Sequence, residues 1–457
     1  MNVDKSLKFF VLILMLLIGV TGVYAARGLY ADGSFWLFEM LSRGSFYIFD
    51  PHRAYAQILM QLPVVISLVL GTQDLNFLIR AHSFGFVFLP LLFWLAALAI
   101  QINTRLFWFF LMAFCVTYLR SNFFAAGEFN ITYGMTAFCV SILLRQNINR
   151  TLSVLLVLTS VVLTHSYEMT LFLGALLGTV SVWRLWKAKQ DSVFVRTCVI
   201  LAVIFFLVSS YVGFQSAFFQ RAYDGRSTAN LGAIAEIHFL YLITVPALAT
   251  LLYATRIKRY AAIFVACLAS VIIFYMFYAF RLDQSNISFG YLSYAYRALT
   301  GLILIGILII STFFYYSASR SKTESCSYST ISFAIISTIF FISVASPMFI
   351  HTYGFSKWAQ RFETTSLALA QHTPINETGI NTNHGWTHGY NWVWGNTYTS
   401  ILLRGNAEAL VLNNSNYVNP AISGYESLKR SDDSEGSRNN LIDRHPLNLL
   451  IKKGKLF

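Results

Sequence analysis

Long apolar runs recur along most of this sequence, separated by short polar turns, and that alternation permits few folds. A helix crossing a bilayer needs about 20 consecutive apolar residues. The sequence reads as eleven such stretches, at 8–25, 83–101, 105–120, 130–145, 150–165, 168–184, 197–214, 233–254, 260–280, 298–316 and 329–350. In lipid every backbone polar group must be bonded within the protein, so spans of this kind are helices. The expected fold is an all-α polytopic membrane protein of about 11 transmembrane helices. Composition agrees: 56% of the residues are hydrophobic and only 12% charged, against about 25% charged in soluble domains. The segment with Lys5, Lys8 and an apolar run ending at Val23-Tyr24-Ala25 has features of a secretory signal, but the many spans after it favour reading it as the first span.

A formal net charge of +13 would suit nucleic acid, yet the basic residues occupy short turns between apolar spans, where they set orientation instead. With residues 1–7 placed inside, the inner segments hold Lys5, Lys8, Arg105, Arg145, Arg150, Arg184, Lys187, Lys189, Arg196, Arg256, Lys258, Arg259, Arg320 and Lys322 against the acids Asp4, Asp191 and Glu324. That excess predicts a multi-pass protein of the cell (inner) membrane with its C-terminus outside the cytoplasm, and it excludes nucleic acid as a partner. Cys115, Cys139, Cys198, Cys267 and Cys326 show neither metal-site spacing nor a disulfide framework.

The run 58–70 has 13 apolar-rich residues, too few for a span. Counting it as one would invert all later turns and export the basic clusters, so the segment is expected to lie as a helix on the outer surface. The first outer loop then covers 26–82, a length that usually signals function when the loop is as aromatic as this one. Between residues 26 and 350 the outer side carries Asp32, Glu39, Asp50, Asp74, Glu128, Glu168, Asp224, Glu236 and Asp283. Its basic residues in the same stretch are all Arg: Arg27, Arg43, Arg53, Arg80, Arg120, Arg221, Arg226, Arg281 and Arg297. A planar guanidinium suits an anionic ligand such as a lipid phosphate. Equal numbers of both signs also suit Arg–acid pairs that fasten loops together, and the sequence leaves both readings open.

The tail, 351–457, changes composition and is expected to form a small mixed α/β outer lid. Lys357 to Gln371 reads as an amphipathic helix, 391–403 and 408–413 as short strands, and 425–445 as a polar, mobile stretch. His384 and His388 have metal-compatible spacing on a helix, but Gly385 and Gly389 argue against helix there, so no metal site is assigned. There is no internal repeat, P-loop, Gly-x-Ser-x-Gly or zincin motif.

Several features together resemble the GT-C glycosyltransferases, the polytopic enzymes that use polyprenyl-phosphate-linked sugars, and in particular the protein mannosyltransferase and aminoarabinose transferase type. Tyr30-Ala31-Asp32-Gly33 follows the first span at once; Leu62-Pro63, Leu70-Gly71, Asp74-Leu75 and Arg80 are similar to that family's run into its next span; and Gly127-Glu128-Phe129 stands where many members place a second acid. The resemblance covers roughly residues 8–185. Asp32 is followed by Gly33 and not by a second acid, and Asp50-Pro51-His52-Arg53 lies near the place of the family's lysine-proline-proline segment. The resemblance implies transfer of a sugar to a glycan, lipid or protein acceptor at the outer face, with Asp32 as general base and Glu128 as second acid. It further implies Arg27, Arg53, Arg80 and Arg120 as phosphate ligands, with His165 and Glu168 as further contacts to substrate. A divalent metal ion assists some relatives, although no ligand set stands out here. The rival expectations are a polytopic transporter or flippase, another envelope polysaccharide enzyme (a polymerase or ligase), and a non-catalytic scaffold. Transporters usually carry repeats and mid-membrane polar groups, which fit this sequence less well.

Overall fold

Spans that must satisfy their own backbone fold as helices, and a computed structural model of the chain shows this. It describes residues 3–30, 32–118, 127–187, 191–219 and 327–368, together with residues 305, 308, 399 and 402. Among these residues the structure is helical, with no strand. In order they form α1 (Val3–Tyr24), α2 (Asp32–Arg43), α3 (Ala54–Val69), α4 (Leu75–Ser83), α5 (Leu89–Ile100), α6 (Leu106–Tyr118), α7 (Glu128–Leu143), α8 (Arg150–Leu163), α9 (Thr170–Lys187), α10 (Val193–Phe219) and α11 (Ser327–Ala368). Among the described residues four stretches are long and apolar enough to cross a membrane: Val3–Tyr24, Leu75–Ile100, Val193–Ala217 and Phe333–Arg361. The chain is a multi-pass membrane protein. The predicted spans 233–254, 260–280 and 298–316 lie outside the described residues, apart from helical Ile305 and Leu308.

Three sequence boundaries are corrected. The second span does not begin at 83, because α4 runs through Phe84–Phe88 into α5 as one helix from Leu75. Arg80, His82 and Ser83 lower the local hydropathy without interrupting the backbone bonding. Pro90 shapes the join: it brings no N–H and crowds the preceding turn. The chain widens there into a π-turn, in which Leu89 N–H reaches Phe84 O. The break at 350 likewise falls inside α11, which continues to Ala368, so the amphipathic stretch from Lys357 and the last span are one helix with Pro347 within it. Finally, the strand expected at 391–403 is contradicted at Thr399 and Leu402, both helical and buried. Aromatic and β-branched residues gave that stretch a strand-like appearance, but such preferences follow context more than backbone. Residues 408–413 and 425–445 lie outside the described set.

Contacts sort the helix termini onto two ends. At one end Lys8 donates from Nζ to Ile102 O and Thr104 O at 3.0 and 3.2 Å, and Trp108 Nε1 donates to Asp4 at 2.8 Å. Gln101 reaches Ser141 O at 2.8 Å, and Arg184 donates to the carbonyls of Arg145 and Gln146 while pairing with Asp191 at 2.8 Å. These contacts bring one tip of each of α1, α5, α6, α7, α8, α9 and α10 to the same end. This end gathers Lys5, Lys8, Arg105, Arg145, Arg150, Arg184, Lys187 and Arg196 against Asp4 and Asp191. α7 lies at the centre, buried along its whole length, with Gly134 letting it approach Pro90 O of α5.

At the opposite end α3 forms a hairpin with α4. Its 16 residues span about 24 Å, short of the roughly 30 Å hydrocarbon core. Ala56, Met60 and Val64 turn inward, whereas Leu62, Ile66 and Val69 are exposed. α3 turns back at Leu70–Asp74, where Gly71 takes φ 79° and Asp74 caps α4 by accepting from Asn76 N–H at 2.9 Å. Gly85 of the π-turn sits directly under Met60 O of α3. A methyl at Gly85 would overlap that carbonyl, which is backbone and cannot rotate away. Gly85→Ala is expected to cost about 1–3 kcal/mol, measured as a lowered unfolding midpoint in detergent. An unchanged midpoint would show that α3 is not docked on the π-turn.

Candidate functional site

A turn at the head of α3 begins the site. Asp50 accepts from His52 N–H at 2.9 Å, Pro51 supplies the fixed φ of a first helical position, and the short 3-10 turn Pro51–Arg53 delivers Arg53 into the protein at 8% exposure. Two other segments meet it: the N-terminus of α7, led by Glu128, and the α8–α9 turn, Thr164–Met169. His165 O from that turn accepts Tyr55 N–H and Ala56 N–H at 3.0 and 3.3 Å, satisfying donors that the first turn of a helix leaves open.

Arg53 is the hub. Its guanidinium donates to Glu168 Oε1, from Nε at 3.1 Å and at closer range from Nη2. Nη1 lies 3.7 Å from Glu128 Oε2, and Nε lies 3.5 Å from Asp50 Oδ2. The guanidinium carbon stands 4.9 Å from the centre of the Tyr167 ring, which covers one face of the cation. Three carboxylates thus surround one guanidinium. Asp50 and Glu128 have side chains only 2% and 5% exposed, but Glu168 is open at 22%, which makes it the member that an incoming molecule reaches first. Arg53 joins the first loop to α7 and to the α8–α9 turn, whereas Arg43 pairs with Glu39 at 3.1 Å within α2.

Sequence reasoning did not single out Gln57 or Tyr167. Gln57 Oε1 accepts Phe49 N–H at 3.1 Å while its Nε2 donates to Glu128 Oε1 at 2.9 Å; one turn on, Gln61 accepts from Tyr47 N–H at 2.8 Å and donates to Tyr47 O at 2.7 Å. The signal was available: Arg53, Gln57 and Gln61 recur every fourth residue in an otherwise apolar helix, placing a polar stripe on one face.

His165 rests against the Tyr55 ring at 4.8 Å and shares a hydrogen bond with Thr164 Oγ1 at 3.1 Å. Burial, and then the charge of nearby His52, hold its pKa below the ordinary value of 6.5. The sign follows directly. Between 6.5 and the lower folded value, the unfolded chain binds a proton that the folded chain does not. Stability is therefore full above that window and falls as pH drops through it. Unfolding followed from pH 7.5 to 5.5 should show this loss, and His165→Gln should flatten it. An equally steep loss in that variant would assign it elsewhere.

Other expected site residues lie at the same end but in a second turn. Ala26 takes a left-handed φ of 55°, and Arg27 follows, 2% exposed, with the rings of Tyr30 and Phe355 each 5.3 Å from its guanidinium carbon. His82 Nε2 bonds Gly28 O at 3.1 Å, and Gly28 N–H donates to Ser83 Oγ at 3.1 Å, tying this turn to α4. Asp32, partly exposed, opens α2 immediately afterwards. Arg80 is exposed on α4 with its guanidinium 5.3 Å from the Tyr24 ring. Arg53, Glu128, Glu168 and His165 are thus brought together; Arg27 and Asp32 share the second turn; Arg80 flanks it; and Arg120 lies outside the described residues. Among the described residues no three His, Cys, Asp or Glu side chains are placed to hold a metal ion.

Comparison of the chain with protein-family models, with curated proteins and with solved structures returned no match.

Proposed function

We propose that this membrane protein is a glycosyltransferase that moves a sugar from a polyprenyl-phosphate donor to a glycan, lipid or protein acceptor at the outer face of the cell membrane. The observation that carries the reading is the meeting of the long first loop, the head of α7 and the α8–α9 turn around Arg53, at the end opposite the basic one. The basic end takes the cytoplasmic side, which leaves the carboxylates and arginines of the other end facing outward. Eleven spans and an outside C-terminus complete this proposed topology.

The chemistry follows from the residue types. Asp32 takes or orients the acceptor's proton as the acceptor oxygen or nitrogen bonds to the sugar carbon. The bond from that carbon to the phosphate oxygen breaks, and polyprenyl phosphate leaves with the electron pair. Arg27, Arg80 and Arg120 offset the charge on the departing phosphate, and arginine keeps its cation beside apolar surface at any physiological pH. Glu128, nearly buried, acts as the second acid by fixing Arg53, while Glu168 and His165 face the entry. Purified protein in proteoliposomes, supplied with a labelled polyprenyl-phosphate sugar and candidate acceptors, should release polyprenyl phosphate and label an acceptor. Donor moved intact across the bilayer would mark a flippase instead.

A further inference from the structure

The orientation of the Gln57 amide is decided by its neighbours. Gln57 is fully buried on α3, one turn past Arg53. Phe49 N–H can only donate, and it meets one end of the amide at 3.1 Å, so that end is the oxygen. The nitrogen then faces Glu128, whose Oε1 lies 2.9 Å away. An amide nitrogen can only donate, which commits Oε1 of Glu128 as an acceptor. The second carboxylate oxygen, Oε2, is left toward Arg53 Nη1 at 3.7 Å, a charge contact longer than a hydrogen bond. Arg53 in turn donates to Glu168 at the open side. A directed chain results, from the Phe49 backbone through Gln57, Glu128 and Arg53 to Glu168.

Resting on the glycosyltransferase reading above, we propose that Gln57 is a positioning residue: it holds Glu128 Oε1 so that Oε2 faces Arg53, and through that contact it sets the guanidinium beside Glu168 for the donor. The role calls for an amide of this length. Glutamate at 57 would satisfy Phe49 N–H with one oxygen and press the other against Glu128. Two carboxyl groups at that separation share a proton instead of both ionising, and Glu128 then holds Arg53 less firmly.

The test uses the full chain in nanodiscs as wild type, Gln57→Glu, Gln57→Met and the exchanged pair Gln57→Glu with Glu128→Gln. Infrared spectra at neutral pH should show a protonated-carboxyl band in Gln57→Glu that wild type lacks and that the exchanged pair removes. In transfer assays Gln57→Glu should raise KM for the polyprenyl-phosphate sugar more than it lowers kcat. It should also move the acid limb of the pH profile upward by about one pH unit. Gln57→Met, which keeps length but loses the donor, should raise KM without adding a band. Absence of the new band, or its persistence in the exchanged pair, would overturn the contact. A band accompanied by unchanged KM and pH profile would overturn the positioning role and leave Gln57 as a fastening of the loop. If Gln57→Glu fails to fold, the exchanged pair should fold, because it restores one donor and one acceptor, and its failure would also overturn the proposal. A wild type that turns over no donor would sink the glycosyltransferase reading and with it the role in transfer, while the bands would still decide the contact.

Discussion

Arg53→Ala is expected to destabilise the protein more than any other single change at its end of the helices, by about 3–5 kcal/mol, because removing one partner of a buried ion cluster leaves the rest uncompensated. Asp50 and Glu128 lie beside the guanidinium with almost no access to water, whereas Glu168 is open at 22%. Without Arg53 they repel one another. The openness of Glu168 moves the expectation toward the lower end of that range. Arg53→Lys should fall between wild type and the alanine variant, since an ammonium keeps the charge but cannot reach Glu128 and Glu168 with a planar fork. The check is the unfolding midpoint in detergent, together with a variant that removes charge on both sides, Arg53→Met with Asp50→Asn, Glu128→Gln and Glu168→Gln. Recovery of stability in that variant would confirm uncompensated charge as the cause. A loss below about 1 kcal/mol in Arg53→Ala would mean that the cluster is worth no more than an exposed pair.

Asp32→Asn should leave folding intact and lower transfer by about 10²–10⁴-fold, the range contributed by a positioned general base. Asp32 is only partly buried at the start of α2. Asparagine caps a helix start about as well as aspartate, so the turn should survive. Asp50→Asn is the control. Its side-chain oxygen can still accept His52 N–H, the bond that shapes the turn, so its effect on transfer should be milder. Steady-state rates with a labelled polyprenyl-phosphate sugar, set beside thermal melts of the same preparations, separate chemistry from folding. Full activity in a folded Asp32→Asn would move the base to Glu168, the most open acid of the Arg53 cluster.

Hydropathy and charge made the membrane helices legible, because lipid punishes unpaired backbone at every residue and the signal accumulates over each run. Helix ends were less legible. Arg80, His82 and Ser83 looked like the close of a loop, yet they lie within one helix, since a polar side chain at the membrane edge does not cost the backbone its bonds. The same reasoning failed at 350, where α11 continues through His351 and Lys357. In the site, Glu128 and Glu168 were visible as outer acids, but their meeting on Arg53 depends on separations of 75 and 115 residues along the chain, which periodicity does not encode. Gln57 was overlooked because an amide in an apolar run looks neutral, even with Gln61 one turn on. Its importance comes from the Phe49 N–H and the Glu128 carboxylate on either side of it.

The most direct test of the account is the position of a bound polyprenyl phosphate, determined by electron cryo-microscopy of the full chain in nanodiscs. The account predicts its phosphate at the end that holds Arg27, Arg53 and Arg80, between the first loop and the head of α7, with Asp32 facing the space beside it. A phosphate bound among Lys8, Arg145 and Arg184 at the opposite end would contradict it.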